Sequence, residues 1–106
     1  MSNAEADPAV LAQCQELAAT WAPVLRALGH PERLLITLWL AGTSSTVREL
    51  EQVTGLRQSL VSYHLAELRA AGLVAAVPEG RTNRYHLANA DLDSLAALVG
   101  TLHPKQ

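Results

Sequence analysis

The chain has 106 residues, a formal net charge of −2, 49% hydrophobic residues and a single cysteine. This length predicts one domain whose core is marginal for its size, and one cysteine excludes an intrachain disulfide framework or a CxxC metal clasp. The longest apolar candidate, Leu34 to Ala41, is too short to span a bilayer and is interrupted by Thr37; no membrane partner is predicted, and with no secretory signal in view the protein reads as cytoplasmic.

In chain order, residues 1–7 read as a disordered segment or tag remnant and 8–103 as a single domain. Val10, Leu11, Cys14, Leu17, Ala18 and Trp21 recur at helical spacing and predict an amphipathic helix within 8–28. Pro23 removes a ladder hydrogen bond and predicts a kink or a division there. His30-Pro31-Glu32-Arg33 opens the next helix, with Pro31 suited to its first position. His30 reads as a capping or packing residue rather than a ligand. Leu34, Leu35, Leu38 and Trp39 are predicted to drive into the core, and Gly42, Thr43, Ser44 and Ser45 to form a loop.

Residues 46–72 carry the sharpest pattern. Thr46 is a good N-cap, and Glu49 three residues later completes a capping-box signature. Val47, Leu50 and Val53 form one apolar stripe, with Arg48, Glu49, Glu51 and Gln52 turned to water. Gly55 can take the left-handed conformation that ends this helix, and Leu56 then plugs the space before the next. The second helix sends Leu60, Val61, Leu65 and Leu68 inward and stops at Ala71-Gly72. Its opening turn offers Arg57, Gln58, Ser59 and Ser62, with Tyr63 and His64 just behind. Arg pairs bidentately with guanine and Gln with adenine, Ser reaches bases or phosphates, and a helix N-terminus favours phosphate.

Residues 73–88 read as a hairpin. Leu73 to Val77 is a short apolar strand, Pro78-Glu79-Gly80 punctuates a turn, and Tyr85-His86-Leu87 is the return strand. Arg81, Thr82, Asn83 and Arg84 lie at or just after the tip, where arginines can straddle a backbone or enter a minor groove. A hairpin directly after a helix-turn-helix is a wing, and its usual partner is duplex DNA. The charge distribution agrees: between Arg57 and His86, Arg57, Arg69, Arg81 and Arg84 oppose only Glu67 and Glu79. Acids outweigh bases on either side of that stretch.

Leu92, Leu95, Ala96, Val99 and Leu102 make a second amphipathic stripe within 91–103. Two apolar terminal helices exceed what a small winged core can cover, so 8–28 and 91–103 are predicted to pack across a two-fold axis. The expected fold is mostly α with a small β-hairpin wing, a homodimer addressing a pseudo-palindromic operator.

The segments RALGHPERLLITLWL (Arg26–Leu40), TVRELEQVTGLRQSLVSYHLAELRAAGLV (Thr46–Val74) and EGRTNRYHL (Glu79–Leu87) resemble the ArsR/SmtB family of bacterial winged-helix repressors, in the right order and spacing from Leu25 to Leu87. The resemblance implies a homodimer that binds an operator near its own gene and releases it when a small effector, often a metal ion, binds. It also marks departures. The paired cysteines that metal sensors of this family place on the first helix of the helix-turn-helix are absent, since that helix reads Val47-Arg48-Glu49-Leu50-Glu51-Gln52-Val53. In the family's last-helix site, Asp91-Leu92-Asp93 puts an Asp where the pattern has its first His, and His103 is out of step. With too few ligands for zinc, no metal and no cofactor are predicted. Arg57 stands where many relatives carry Ser, a better cap.

The effector stays open among several readings. Trp21 and Trp39 with Cys14 can wall an apolar pocket for an organic ligand, although tryptophan at helical spacing also serves as core. Cys14 can pair across the dimer as a redox switch or combine with His103 from the facing subunit to hold a metal ion, and no effector at all is a further possibility. No Ser/His/Asp or Cys/His order and no glycine-rich phosphate loop stands out, so no enzyme is predicted. The alternative to a DNA-binding repressor is a winged helix used purely for protein contacts.

Overall fold

The computed structural model describes residues 7–88. In chain order the elements are α1 (Pro8–Leu28), α2 (Pro31–Gly42), β1 (Ser45–Thr46), α3 (Val47–Thr54), α4 (Gln58–Ala70), β2 (Val74–Glu79) and β3 (Thr82–Leu87). The strands form one antiparallel sheet in the order β1-β3-β2.

Local sequence sets most of the boundaries. The Asp7 carboxylate accepts from the Ala9 amide at 2.9 Å, capping α1 ahead of Pro8. His30 Nδ1 accepts from the Glu32 amide at 3.1 Å, so the imidazole caps α2. At α3 both halves of the capping box form: Thr46 Oγ1 accepts from the Glu49 amide and Glu49 Oε1 from the Thr46 amide. Gly55 closes α3 at φ 75°. The end of α4 is a Schellman turn. Gly72 sits at φ 75°, Leu73 N–H donates to Leu68 O at 2.9 Å, and Gly72 N–H donates to Arg69 O at 2.9 Å. That turn drops Leu73 fully into the core and starts the wing.

Val24, Leu28, Ile36, Leu40, Leu50, Val61, Leu65, Leu68, Leu73 and Val74 make the core. Full burial of each such side chain stabilises the fold by about 1.5–3 kcal/mol relative to exposure. Leu56 packs against this cluster between α3 and α4, as does Trp21 from α1.

Four expectations are corrected. Leu34, Leu35, Leu38 and Trp39 do not enter the core; all four are exposed. The inward stripe of α2 runs instead through Ile36, Thr37 and Leu40, and Thr37 is tolerated because its hydroxyl donates to Arg33 O at 2.8 Å. A helix that is apolar nearly all round gives no amphipathic phase, so the sequence does not choose its face. Leu60 likewise points outward, while Val61, Leu65 and Leu68 are buried as expected. Pro23 does not divide α1, which runs unbroken from Pro8 to Leu28. The wing strands are longer than expected. Pro78 and Glu79 belong to β2, on the outer edge of the sheet where proline is tolerated. The turn is the two residues Gly80-Arg81, with Gly80 at φ 62° and Glu79 opposite Thr82.

The loop reading of Ser45 also changes. Ser45 and Thr46 pair with Tyr85 and Arg84, which fastens the wing's return strand to the entrance of α3. Trp39 Nε1 donates to the buried Ser45 Oγ at 2.9 Å and pins this strand to α2. On α1, Val10, Leu11, Cys14 and Leu17 are exposed along one helix. Their predicted partners Leu92, Leu95, Val99 and Leu102, together with Asp91, Asp93 and His103, lie outside the described residues.

Candidate nucleic-acid interface

The start of α4 is an open helix end. Arg57 occupies the N-cap position with extended backbone and makes no side-chain cap hydrogen bond. The first amides of a helix have no intrahelical acceptor, and among the described residues no side chain supplies one. Arg57, Gln58, Ser59, Ser62 and Tyr63 are all exposed. The guanidinium of Arg57 has no carboxylate partner among the described residues. This turn therefore presents a free cation, an amide, two hydroxyls and a phenol around a helix N-terminus, chemistry suited to phosphates and base edges.

His64, predicted to face DNA, does not. It is 2% exposed, in the inward stripe Val61, His64, Leu65, Leu68. Its Nε2 lies 2.8 Å from Glu32 Oε1 and its Nδ1 3.5 Å from an Arg33 guanidinium nitrogen. A carboxylate accepts and a guanidinium donates, so this arrangement uses the Nε2-protonated imidazole, donating to Glu32 and accepting from Arg33. Arg33 Nε also donates to Ala27 O near the end of α1. One polar chain thus ties α1, α2 and α4 together under the candidate interface. The His30 ring stacks obliquely on His64 with centroids 4.6 Å apart. Ligand-type atoms of His30, Glu32 and His64 lie within 4.8 Å of one another, but they are already bonded, and a cation there would meet Arg33.

The wing divides its four candidate residues. Arg81, Thr82 and Asn83 are exposed at the tip. Arg84, predicted to face DNA, is turned back toward Glu79, Ser44 and Glu49. Its Nε donates to Glu79 Oε1 at 2.7 Å and one Nη to Glu79 Oε2 at 2.9 Å, a bidentate pair. The other Nη donates to Ser44 O at 3.0 Å and Glu49 Oε1 at 3.2 Å, while the Nη bonded to Glu79 also donates to Glu49 Oε2 at a longer 3.5 Å. These contacts use the five N–H groups a guanidinium has. The Thr46 amide, and after it Arg84, hold the Glu49 carboxyl below its ordinary value, and the bonds from Arg84 do the same for Glu79. Arg84 in turn is held more firmly protonated by hydrogen bonds to Glu79 and Glu49.

Sequence reading missed Glu32, Arg33 and Glu49 as partners of this site. For His64 a signal existed: it lies three residues after Val61 and four before Leu68, on the buried stripe. For Arg84 none existed, because Glu49 is thirty-five positions away.

The profile of the family described as "Bacterial regulatory protein, arsR family" matches residues 30–76. The HTH-type transcriptional regulator YgaV of Escherichia coli (strain K12) is 38% identical over 93 residues, covering 87% of this chain and 91% of the relative. The chain belongs to the arsR family. Among solved structures, reduced HlyU from Vibrio cholerae N16961 matches with TM-score 0.77 at 30% identity, over 88% of this chain and 98% of that one. HlyU is named a transcriptional activator. The homodimeric winged helix-turn-helix DNA-binding domain of Mb0332 from Mycobacterium bovis matches with TM-score 0.73 at 30% identity, over 96% and 89% of the two chains. As an arsR-family protein this chain is a winged helix-turn-helix transcriptional regulator. The profile spans α2 to α4 and ends before the wing tip, so the Arg84 contacts lie at its edge. Among the described residues no helix is long and apolar enough to cross a membrane.

Proposed function

We propose that two copies of this chain bind a pseudo-palindromic DNA operator and act there as a repressor released by a small effector. In this reading Arg57, Gln58, Ser59, Ser62 and Tyr63 enter the major groove from the start of α4, and Arg81, Thr82 and Asn83 reach the flanking backbone from the wing. The observation that carries it is the exposed start of α4, where Arg57 has neither a cap bond nor a carboxylate partner among the described residues.

The dimer reading is supported by the exposed Val10, Leu11 and Leu17 of α1, an apolar surface of the kind that marks protein contacts. Cys14 on the same face offers the redox reading of the effector a place. A second reading, a module for protein contacts alone, is favoured by one observation: Leu60 and Tyr63 are also exposed on α4. Selection of genomic fragments by the purified protein separates the two. Enrichment of one short palindrome supports the operator reading, and no enrichment at low salt supports the protein-contact reading. A reporter driven from the selected site then gives the sign of regulation, with increased expression assigning an activator.

A further inference from the structure

We infer that Arg84 is a positioning residue for DNA binding, one that sets the angle of the wing against the helix-turn-helix instead of meeting phosphate itself. The inference rests on the operator reading above. Three independent contacts converge on the one side chain. Glu79 belongs to β2 of the wing, Glu49 to the first turn of α3, and Ser44 to the segment entering β1. Arg84 itself lies on β3, opposite Val77 on one side and Thr46 on the other. The guanidinium therefore bolts both wing strands to the capping box of α3. That helix in turn shares the core with α4 through Leu50, beside Leu56 of the connecting turn.

The geometry has a consequence for charge. Two carboxylates surround one guanidinium, so this part of the wing offers DNA no net positive charge. Arg81, at the tip, is exposed and has no carboxylate partner among the described residues. With Arg84 fixed, the distance between Arg81 and the start of α4 is fixed too, and both ends of the surface meet the duplex in one register. Preorganisation of this kind contributes to affinity by reducing the ordering cost of binding.

The test exploits a reversal of sign. Removing an acid next to a DNA-binding surface strengthens binding when electrostatics alone decides. Glu79→Gln, on an exposed strand, is expected instead to weaken binding to the selected operator by roughly two- to fivefold, the effect of losing an exposed charge-assisted pair. Arg84→Lys keeps the charge but lacks the fork that serves both acids, and is expected to lose a similar factor with an unchanged salt slope. Glu49→Gln provides a third variant, since glutamine preserves the capping box. Hydrogen exchange on the DNA-free proteins is a separate readout: amides of residues 82–87 are expected to exchange faster in Glu79→Gln than in wild type. Tighter operator binding by Glu79→Gln, with Arg84→Lys equal to wild type, overturns the inference and makes Arg84 a phosphate contact. Failure of the wild type to bind any operator overturns the operator reading, whereas faster wing exchange still reports the brace.

Discussion

His64 Nε2 donates to Glu32 Oε1 across 2.8 Å, joining the buried face of α4 to the first turn of α2. A helix carrying an interface on one side is held from the other by a single polar chain running through Arg33 to Ala27 O. His64→Ala removes both bonds and opens a cavity, so it is expected to destabilise the fold by about 2–4 kcal/mol. Glu32→Gln retains an accepting oxygen and is expected to cost less than about 1.5 kcal/mol. Urea denaturation of the two variants checks the order, and equal losses would count against the role given to His64.

At Arg57 stability and function are expected to move in opposite directions. No side chain caps α4 at present, and a serine there adds the missing bond, so Arg57→Ser is expected to stabilise by about 0.5–1 kcal/mol. The same variant loses any base or phosphate contact of the guanidinium. Discrimination at one or two base pairs is expected to fall by about 1–3 kcal/mol. Thermal unfolding alongside competition with single-base operator variants reads both signs.

The two arginines of the wing separate in the same assay. Arg81→Ala is expected to weaken binding to all sequences alike and to reduce the salt slope by about one. Anisotropy titrations of Arg81→Ala at several salt concentrations give the slope directly, and an unchanged slope would remove Arg81 from the phosphate contacts.

Acid is expected to loosen the wing brace. Glu49 and Glu79 are both held below their ordinary value of 4.5, by the Thr46 amide and Arg84 for the first and by Arg84 for the second. A lowered folded value means the unfolded chain binds more protons in that range. Their contribution is therefore complete above 4.5 and is lost as the pH falls through the lower folded values. Unfolding free energy measured from pH 6 downward is expected to drop less steeply in Glu79→Gln than in wild type (roughly the lost share of one carboxylate). A parallel pair of curves would contradict the assignment.

The features legible in the sequence are those set by near neighbours. Thr46 and Glu49 announce their capping box at three-residue spacing, and Gly55 and Gly72 announce the left-handed stops that close α3 and α4. The opening turn of α4 was legible because its polar run interrupts an apolar helix. The orientation of α2 was not, because Leu34, Leu35, Leu38 and Trp39 are as apolar as Ile36 and Leu40, and only packing chooses between the faces. His64 was misplaced because residue type suggested a groove where helical phase puts it inside. The contacts of Arg84 were not legible because its partners come from α3, from β2 and from the chain before β1. No local pattern encodes such a convergence. The two-residue β1 is likewise too short to carry a periodicity.

The measurement that tests the central claim most directly is an anisotropy titration of the selected operator with wild type and Arg57→Ala across salt concentrations. Binding through the start of α4 predicts a steep fall of wild-type affinity with salt, and in Arg57→Ala a loss confined to the operator, with affinity for unrelated duplex nearly unchanged. Equal affinity of the two proteins for the operator, or no salt dependence in the wild type, would contradict it.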